Sequence, residues 1–143
     1  MSPVATSLRR HGALPFLGAT LAGVAAVGVL AAVDPNQPGH YPTCPFLAIT
    51  GHWCPGCGAL RAVHALATGH PGTALDRNPF LVIVLPLLAV AWVGWGLRSF
   101  GRPAGQRLHP SRIPTALVWG LLVVIIVYWV ARNVPGWTWL SPA

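Results

Sequence analysis

The chain contains no lysine and no glutamate, and only 8% of its 143 residues are charged. All nine cationic residues are arginines, and the only acidic residues are Asp34 and Asp76. A soluble domain of this length needs a more polar surface, since soluble proteins carry about 25% charged residues. The 54% of hydrophobic residues and the mean hydropathy of +0.60 therefore indicate an integral membrane protein.

The net charge of +7 resembles that of a nucleic-acid-binding protein until the arginines are located in the chain. They flank apolar runs singly or in small groups, and they do not form a basic face. This distribution argues against a nucleic acid as a partner. It makes the lipid bilayer the expected environment.

Three apolar runs predict transmembrane helices over residues 14–33, 80–97 and 115–134. The first run is long enough to cross a hydrocarbon core of ~30 Å. Asn78 and Pro79 precede the second run and suit the N-cap and the first helical position. The expected fold class is therefore an all-α integral membrane protein with three transmembrane helices. The other segments are an N-terminal tail (1–13), a Cys-rich loop (34–79), an Arg-rich loop (98–114) and a C-terminal tail (135–143).

The first run also fits a secretory signal peptide, with Arg9 and Arg10 as its basic region. The apolar part of a signal peptide is usually shorter than this run, so we favour a retained helix.

Within that run, Gly18, Ala22 and Ala26 recur at a spacing of four residues. Such a stripe of small residues lets another helix approach closely. Candidate partners are therefore other membrane proteins or a second copy of the chain.

Six arginines fall on one proposed side of the membrane, in the N-terminal tail and the loop 98–114. The opposite side carries Arg61, Arg77 and the span-end Arg132. Because cytoplasmic segments of membrane proteins are enriched in arginine and lysine, the N-terminus is predicted to lie in the cytoplasm, with the protein in the cell membrane. The Cys-rich loop then faces outward.

Residues 57–68 of the Cys-rich loop predict a short helix, and Gly69 suits the left-handed residue that ends many helices. A polar stripe along one side of this helix consists of Cys57, Arg61, His64 and Thr68. The opposite surface is apolar. The helix is too short to cross the bilayer, so we expect it to be interfacial or re-entrant.

Arg61 lies in this apolar helix at membrane depth, where a charge is costly unless it is paired. We expect it either to extend to water or to pair with an acid, a carbonyl or a lipid phosphate. Asp76 is the nearest acidic residue in the sequence. His64 shares the stripe, and an isolated histidine is more often a packed interfacial residue than a proton carrier.

All three cysteines, Cys44, Cys54 and Cys57, lie in the Cys-rich loop. Residues 54–58 have the C-P-x-C-G form of a metal-binding knuckle, whose tight turn brings backbone N–H groups toward the thiolates. The three sulfurs therefore predict a metal site, with zinc or iron as the candidate ions.

A tetrahedral site needs a fourth ligand, and His52 or His40 is the expected one, with His70 as a further candidate if the chain folds back. His64 is excluded by helix geometry, because the rise of about 10 Å from Cys57 is too long for both to bind one ion.

A disulfide is the alternative, because an outward-facing loop lies in an oxidising compartment. Cys44 bonded to Cys54 or to Cys57 would leave one thiol over. A bridge between Cys54 and Cys57 would instead be easily reduced and would suit a redox enzyme. The chain has no second cysteine pair to relay electrons.

One set of residues resembles a known pattern: Cys44-Pro45, G-x-x-C-P-G-C-G at 51–58, Arg61-Ala62, Gly69, Ala74-Leu75 and Asn78-Pro79. Over residues 42–90 the chain resembles domain of unknown function 2752 (DUF2752), a family of small bacterial multi-pass membrane proteins. Leu60 stands where the family usually has threonine, and His70 stands where an acidic residue commonly follows the glycine. The resemblance implies a bacterial protein with several spans, and it supplies no activity.

These observations favour a non-enzymatic membrane protein whose Cys-rich loop folds around a metal or a disulfide and presents a binding or assembly surface. One alternative is a membrane thiol-disulfide or metal-dependent enzyme that uses the C-P-G-C motif. Another is an accessory subunit of a larger membrane complex.

The predicted orientation can be tested with Gln37→Cys and Gln106→Cys, labelled by a membrane-impermeant maleimide in intact cells. We expect Gln37→Cys to react from outside and Gln106→Cys to react only after permeabilisation, because the Arg-rich loop should be cytoplasmic. The unsubstituted protein provides the blank for the native thiols. The reverse labelling pattern would place the N-terminus outside the cell.

Overall fold

The computed structural model describes residues 3–101, 114–137 and 140, with residues 3–12 described at the level of the backbone. These residues form six α-helices and, within the described ranges, no strand. The helices are α1 (Pro3–Ala32), α2 (Pro45–Thr50), α3 (Ala59–Ala67), α4 (Pro71–Arg77), α5 (Pro79–Ser99) and α6 (Thr115–Arg132). The prediction of an all-α fold is confirmed.

Three of these helices are long and apolar enough to cross a membrane, as predicted. They are the Ala13–Ala32 part of α1, with a mean hydropathy of 2.0, then α5 with 2.4 and α6 with 2.0. The bounds differ from those predicted, because α1 already begins at Pro3 and α6 ends at Arg132 rather than at residue 134. The three spans identify a membrane protein.

The helices α1 and α5 run antiparallel and pack through aromatic rings near one end of the bundle. The ring of Phe16 lies 5.9, 5.3 and 5.8 Å from the rings of Trp92, Trp95 and Phe100. Gly96 makes room for this cluster, since a Cβ there would lie only 2.7 Å from Cζ of Phe16. The start of the first span therefore packs against the end of the second.

At the opposite end of the bundle, α3 and α4 form a small hairpin between the first two spans. The buried residues of the hairpin are all alanines, and they are Ala62, Ala65 and Ala74. Small side chains let these two short helices approach closely. Gly69 has a φ of 83°, which confirms the predicted left-handed residue after α3.

The helix α3 begins at Ala59, two residues later than predicted. Gly58 is the N-cap residue with a φ of 79°, a left-handed conformation that favours glycine. Cys57 therefore lies in the turn before the helix. The polar stripe on α3 itself is Arg61 and His64, and Thr68 is the C-cap residue.

The helix α6 is attached to the other helices mainly at its C-terminal end. Tyr128 stacks on Phe80 at 5.2 Å, and Trp129 meets Phe46 edge to face at 5.8 Å. Nearer the start of α6, the side chain of Trp119 is 64% exposed. The small-residue stripe on α1 is exposed as well, so its contact with another helix stays a prediction.

We expect Gly96→Ala to destabilise the protein, because overpacking among the rings around Phe16 costs roughly 1–3 kcal/mol. The matched control is Gly120→Ala in α6, where a Cβ meets nothing within 4 Å. Both substitutions gain the same helix propensity, so the difference in melting temperature in detergent isolates the packing cost. Equal melting temperatures would show that the Phe16 ring moves aside freely.

Candidate metal centre

The first cysteine is positioned by the short helix α2. Cys44 immediately precedes this helix, and its backbone carbonyl accepts a hydrogen bond from the N–H of Ala48 at 3.0 Å. The backbone N–H of Leu47 in the first turn of α2 lowers the pKa of the Cys44 thiol below its usual value. The start of α2 therefore presents a sulfur in an environment that favours the thiolate.

The other two cysteines are brought together by the tight turn at 54–57. The N–H of Cys57 donates to the carbonyl of Cys54 at 3.1 Å, and the N–H of Cys54 donates to Sγ of Cys57 at 3.3 Å. This turn matches the knuckle that the sequence predicted, in which a backbone N–H faces a sulfur.

The three sulfurs converge on one point. The Sγ of Cys54 lies 3.6 Å from that of Cys44 and 3.2 Å from that of Cys57, and all three lie within 4.8 Å of one another. No disulfide joins the three cysteines in this structure, since these separations exceed the ~2.05 Å of a disulfide bond. Cys57 is buried, and burial together with the neighbouring Cys54 sulfur raises its pKa to about 12. The cluster is therefore a set of donors that can hold a metal ion.

The backbone of the 54–57 turn is held from behind by Arg132, at the end of α6. Arg132 is only 1% exposed. Its Nη2 donates to the carbonyls of Cys57 at 2.7 Å and Arg77 at 3.2 Å, and its Nη1 donates to the carbonyl of Pro55 at 3.3 Å. Nη1 also donates to the hydroxyl of Tyr128 at 2.9 Å. The buried charge is thus surrounded by oxygen dipoles.

Asn78 contacts the same two carbonyls of the turn. Its Nδ2 donates to the carbonyls of Pro55 at 3.1 Å and Cys57 at 3.2 Å, while its Oδ1 accepts the N–H of Leu81 at 2.9 Å. The predicted N-cap of α5 is therefore confirmed, and the same side chain also fixes the cysteine turn. Each carbonyl oxygen has two lone pairs, so Asn78 and Arg132 can share both acceptors.

Asn133 adds a third attachment between the end of α6 and the Cys-rich loop. Its Oδ1 accepts the N–H of Trp53 at 2.8 Å, and its Nδ2 donates to the carbonyl of Trp53 at 2.9 Å. This side chain therefore pairs with the peptide groups just before Cys54, much as a neighbouring strand would.

The two histidines proposed as fourth ligands lie outside the group of converging sulfurs. Nδ1 of His52 lies 2.8 Å from the carbonyl of Thr50, and Nδ1 of His40 lies 3.0 Å from the carbonyl of Asp34. The part of the chain that the structure describes brings together only the three cysteines as a candidate metal group there. A ligand role for either histidine stays a prediction.

His64 connects α3 to the end of α1. Its Nδ1 lies 2.6 Å from the carbonyl of Leu30, and its Nε2 lies 3.7 Å from Oδ1 of Asp34. The N–H of Asn36 lowers the pKa of the Asp34 carboxyl, which keeps it ionised beside the imidazole. His64 therefore has a packing role away from the sulfurs.

Arg61 is half-buried, and its side chain makes no hydrogen bond or ion pair with any residue that the structure describes. The paired arginine of the site is instead Arg132, which the sequence had indicated only as a topological marker. One signal was present: Tyr128 and Arg132 are four residues apart, so they share one face of the last helical turn. Their carbonyl partners, however, lie far away in the sequence.

We expect Arg132→Gln to lower the free energy of unfolding by on the order of 2 kcal/mol, because buried carbonyls lose their charged donors. Arg77→Gln is the matched control, since the Arg77 side chain bonds to no described residue while its carbonyl remains in place. Thermal unfolding in detergent measures both variants. Identical transitions would mean that the Arg132 bonds do not hold the turn.

Comparison with known proteins gives one family match. The family model described as Protein of unknown function (DUF2752) matches residues 44–92, from the first cysteine through α3 and α4 into α5. No curated protein and no solved structure matches the chain significantly. The matched segment contains all three cysteines and Asn78, but it ends before α6 and Arg132. The resemblance seen in the sequence is therefore confirmed over residues 44–92, where this chain is similar to the DUF2752 family.

Proposed function

We propose that this membrane protein binds one metal ion, zinc or iron, through Cys44, Cys54 and Cys57. The bound ion fixes the Cys-rich loop as a binding or assembly surface at the end of the helix bundle. The observation that carries the proposal is the convergence of the three Sγ atoms within 4.8 Å. A tight turn alone can bring the sulfurs of Cys54 and Cys57 together. Cys44, however, comes from the start of a separate helix, α2.

The spacing of the sulfurs suits a tetrahedral ion. With Zn–S bonds of about 2.3 Å, sulfurs at the corners of a tetrahedron lie about 3.8 Å apart. The measured separations of 3.6 Å from Cys44 to Cys54 and 3.2 Å from Cys54 to Cys57 need only sub-ångström adjustment. Thiolate ligands also select zinc or iron over harder ions such as magnesium.

The charges around the cluster favour a bound cation. Three thiolates close together repel one another, and burial raises the pKa of the Cys57 thiol, so a thiolate there needs a nearby positive charge. A divalent ion would displace the thiol protons and leave the unit with one net negative charge. The buried guanidinium of Arg132, bonded to the Cys57 carbonyl at 2.7 Å, lies where it can balance that charge.

A route for the ion is available. Cys44 and Cys57 line a cavity of ≈ 530 Å³, bounded by the segment 35–43 and the start of α3. The exposed segment 36–40 beside it supplies the polar part of the proposed surface. In the proposed topology the N-terminus is cytoplasmic and this surface lies outside, where metal binding would protect the thiols from oxidation.

We expect the purified protein to contain about one zinc or iron per chain, measured by elemental analysis. Cys44→Ser, Cys54→Ser and Cys57→Ser should each lose the metal, because ligands of one ion act as a unit. Asp76→Asn is the control, since Asp76 is exposed and forms no ion pair among the described side chains. His52→Ala and His40→Ala test the predicted fourth ligand: loss of metal in either identifies that imidazole, and full retention leaves the position to another donor.

Other outcomes would replace this proposal. A protein with no metal, one free thiol and a mass shift on reduction would contain a structural disulfide. Three free thiols, no metal and wild-type stability in every cysteine variant would contradict both structural roles. Consumption of free thiols in a turnover assay would then favour the thiol-disulfide enzyme.

A further inference from the structure

A second cavity lies on the hairpin of α3 and α4, and its lining is basic. Its volume is ≈ 370 Å³, and its charged or titratable lining residues are Arg61, His64, His70 and Arg77. No acidic side chain lines it, although Asn36, Thr68 and Thr73 add polar groups. The cavity is separate from the cysteine cluster, since none of the three cysteines lines it.

The two arginines of this cavity have no counter-ion among the described residues. Neither Arg61 nor Arg77 donates a side-chain hydrogen bond or forms an ion pair with any described residue. The chain has only two acids to offer. Asp34 accepts from Asn36 and lies near His64, while Asp76 is exposed and forms no ion pair among the described side chains.

Two unpaired guanidinium groups on one cavity repel each other unless an anion lies between them. Both are half-buried, so water screens them less than it would screen surface charges. Arginine is the side chain best suited to phosphate, because its planar fork donates two parallel hydrogen bonds to adjacent oxygens. The hydroxyl of Thr73 in the lining is a further hydrogen-bond donor.

The position of the hairpin adds a reason for phosphate. It lies where α1 ends and α5 begins, at the end of two transmembrane spans and so at the level of the lipid headgroups. Anionic lipid headgroups attract arginines at this depth. We propose that this cavity binds a phosphate group through Arg61 and Arg77, carried either by a lipid headgroup or by a small soluble molecule.

The test uses the full chain in an uncharged maltoside detergent, and two phosphate sources distinguish the origin of the ligand. One is inorganic phosphate, compared with chloride at equal ionic strength. The other is phosphatidylglycerol added to the micelles, compared with an uncharged diacylglycerol. We expect at least one source to raise the melting temperature with its concentration, since a ligand specific for the folded state stabilises it.

Arg61→Gln and Arg77→Gln should each weaken the binding of the active source about tenfold, because each removes a charge-assisted contact. Arg98→Gln is the matched control, since Arg98 is exposed at the opposite end of α5. If Arg61→Gln does not fold, Arg77→Gln alone decides, because the Arg77 side chain makes no described bond.

A shift with phosphatidylglycerol alone supports the site with a lipid as its ligand, and a shift with inorganic phosphate supports it with a soluble one. No shift beyond the chloride and diacylglycerol controls would overturn the proposal. Retention of the shift in both arginine variants would overturn it as well, by placing the anion elsewhere. Neither result bears on the metal content, so the two proposals fail separately.

Discussion

The guanidinium of Arg132 joins parts of the chain that are far apart in sequence. It donates to the carbonyls of Pro55, Cys57 and Arg77 and to the hydroxyl of Tyr128, while being almost fully buried. A buried charge costs several kcal/mol unless such dipoles surround it. Its Nε has no partner among the described residues, so no spare hydrogen bond from Nε would compensate if one of these four were lost. The third span is therefore held to the Cys-rich loop by hydrogen bonds from one buried arginine.

These hydrogen bonds link the conformation of the cysteine turn to the position of α6. The carbonyls of Pro55 and Cys57 accept from Arg132 and Asn78, while the N–H of Cys54 donates to Sγ of Cys57. A turn that lost those partners could rotate its peptide groups and separate the sulfurs. The membrane-spanning helix therefore acts on the cluster through the backbone, without contributing a candidate ligand of its own.

The sequence was sufficient for features that depend on neighbouring residues. Apolar runs predicted the three spans, Asn78 predicted the start of α5, and Gly69 predicted the end of α3. The cysteine spacing predicted the tight turn, because a C-x-x-C segment can close only in a few ways. Even so, the predicted helix 57–68 began too early. Gly58 is a left-handed N-cap residue, so α3 begins only after Cys57 and Gly58.

The roles of the arginines could not be predicted in the same way. An arginine at the end of a span looks the same in sequence whether it faces water, lipid or a buried turn. Arg132 meets the Cys57 carbonyl across 75 residues of chain, and no local pattern encodes that pairing. A histidine ligand is difficult to predict for the same reason, because the separation of residues along a loop says little about where a side chain points.

The scarcity of acidic residues has a structural consequence for the arginines, which are the only cationic side chains apart from histidine. With only two carboxylates in the chain, most arginines cannot form internal ion pairs. Arg132 avoids the need for one, because backbone carbonyls already solvate its charge. Among the described residues, the side chains of Arg61 and Arg77 bond to no carbonyl, and no acidic side chain lines the cavity that they share. Two such cations beside one half-buried cavity are stabilised either by water that reaches them or by an anion from outside the chain, and an anion would also remove their mutual repulsion.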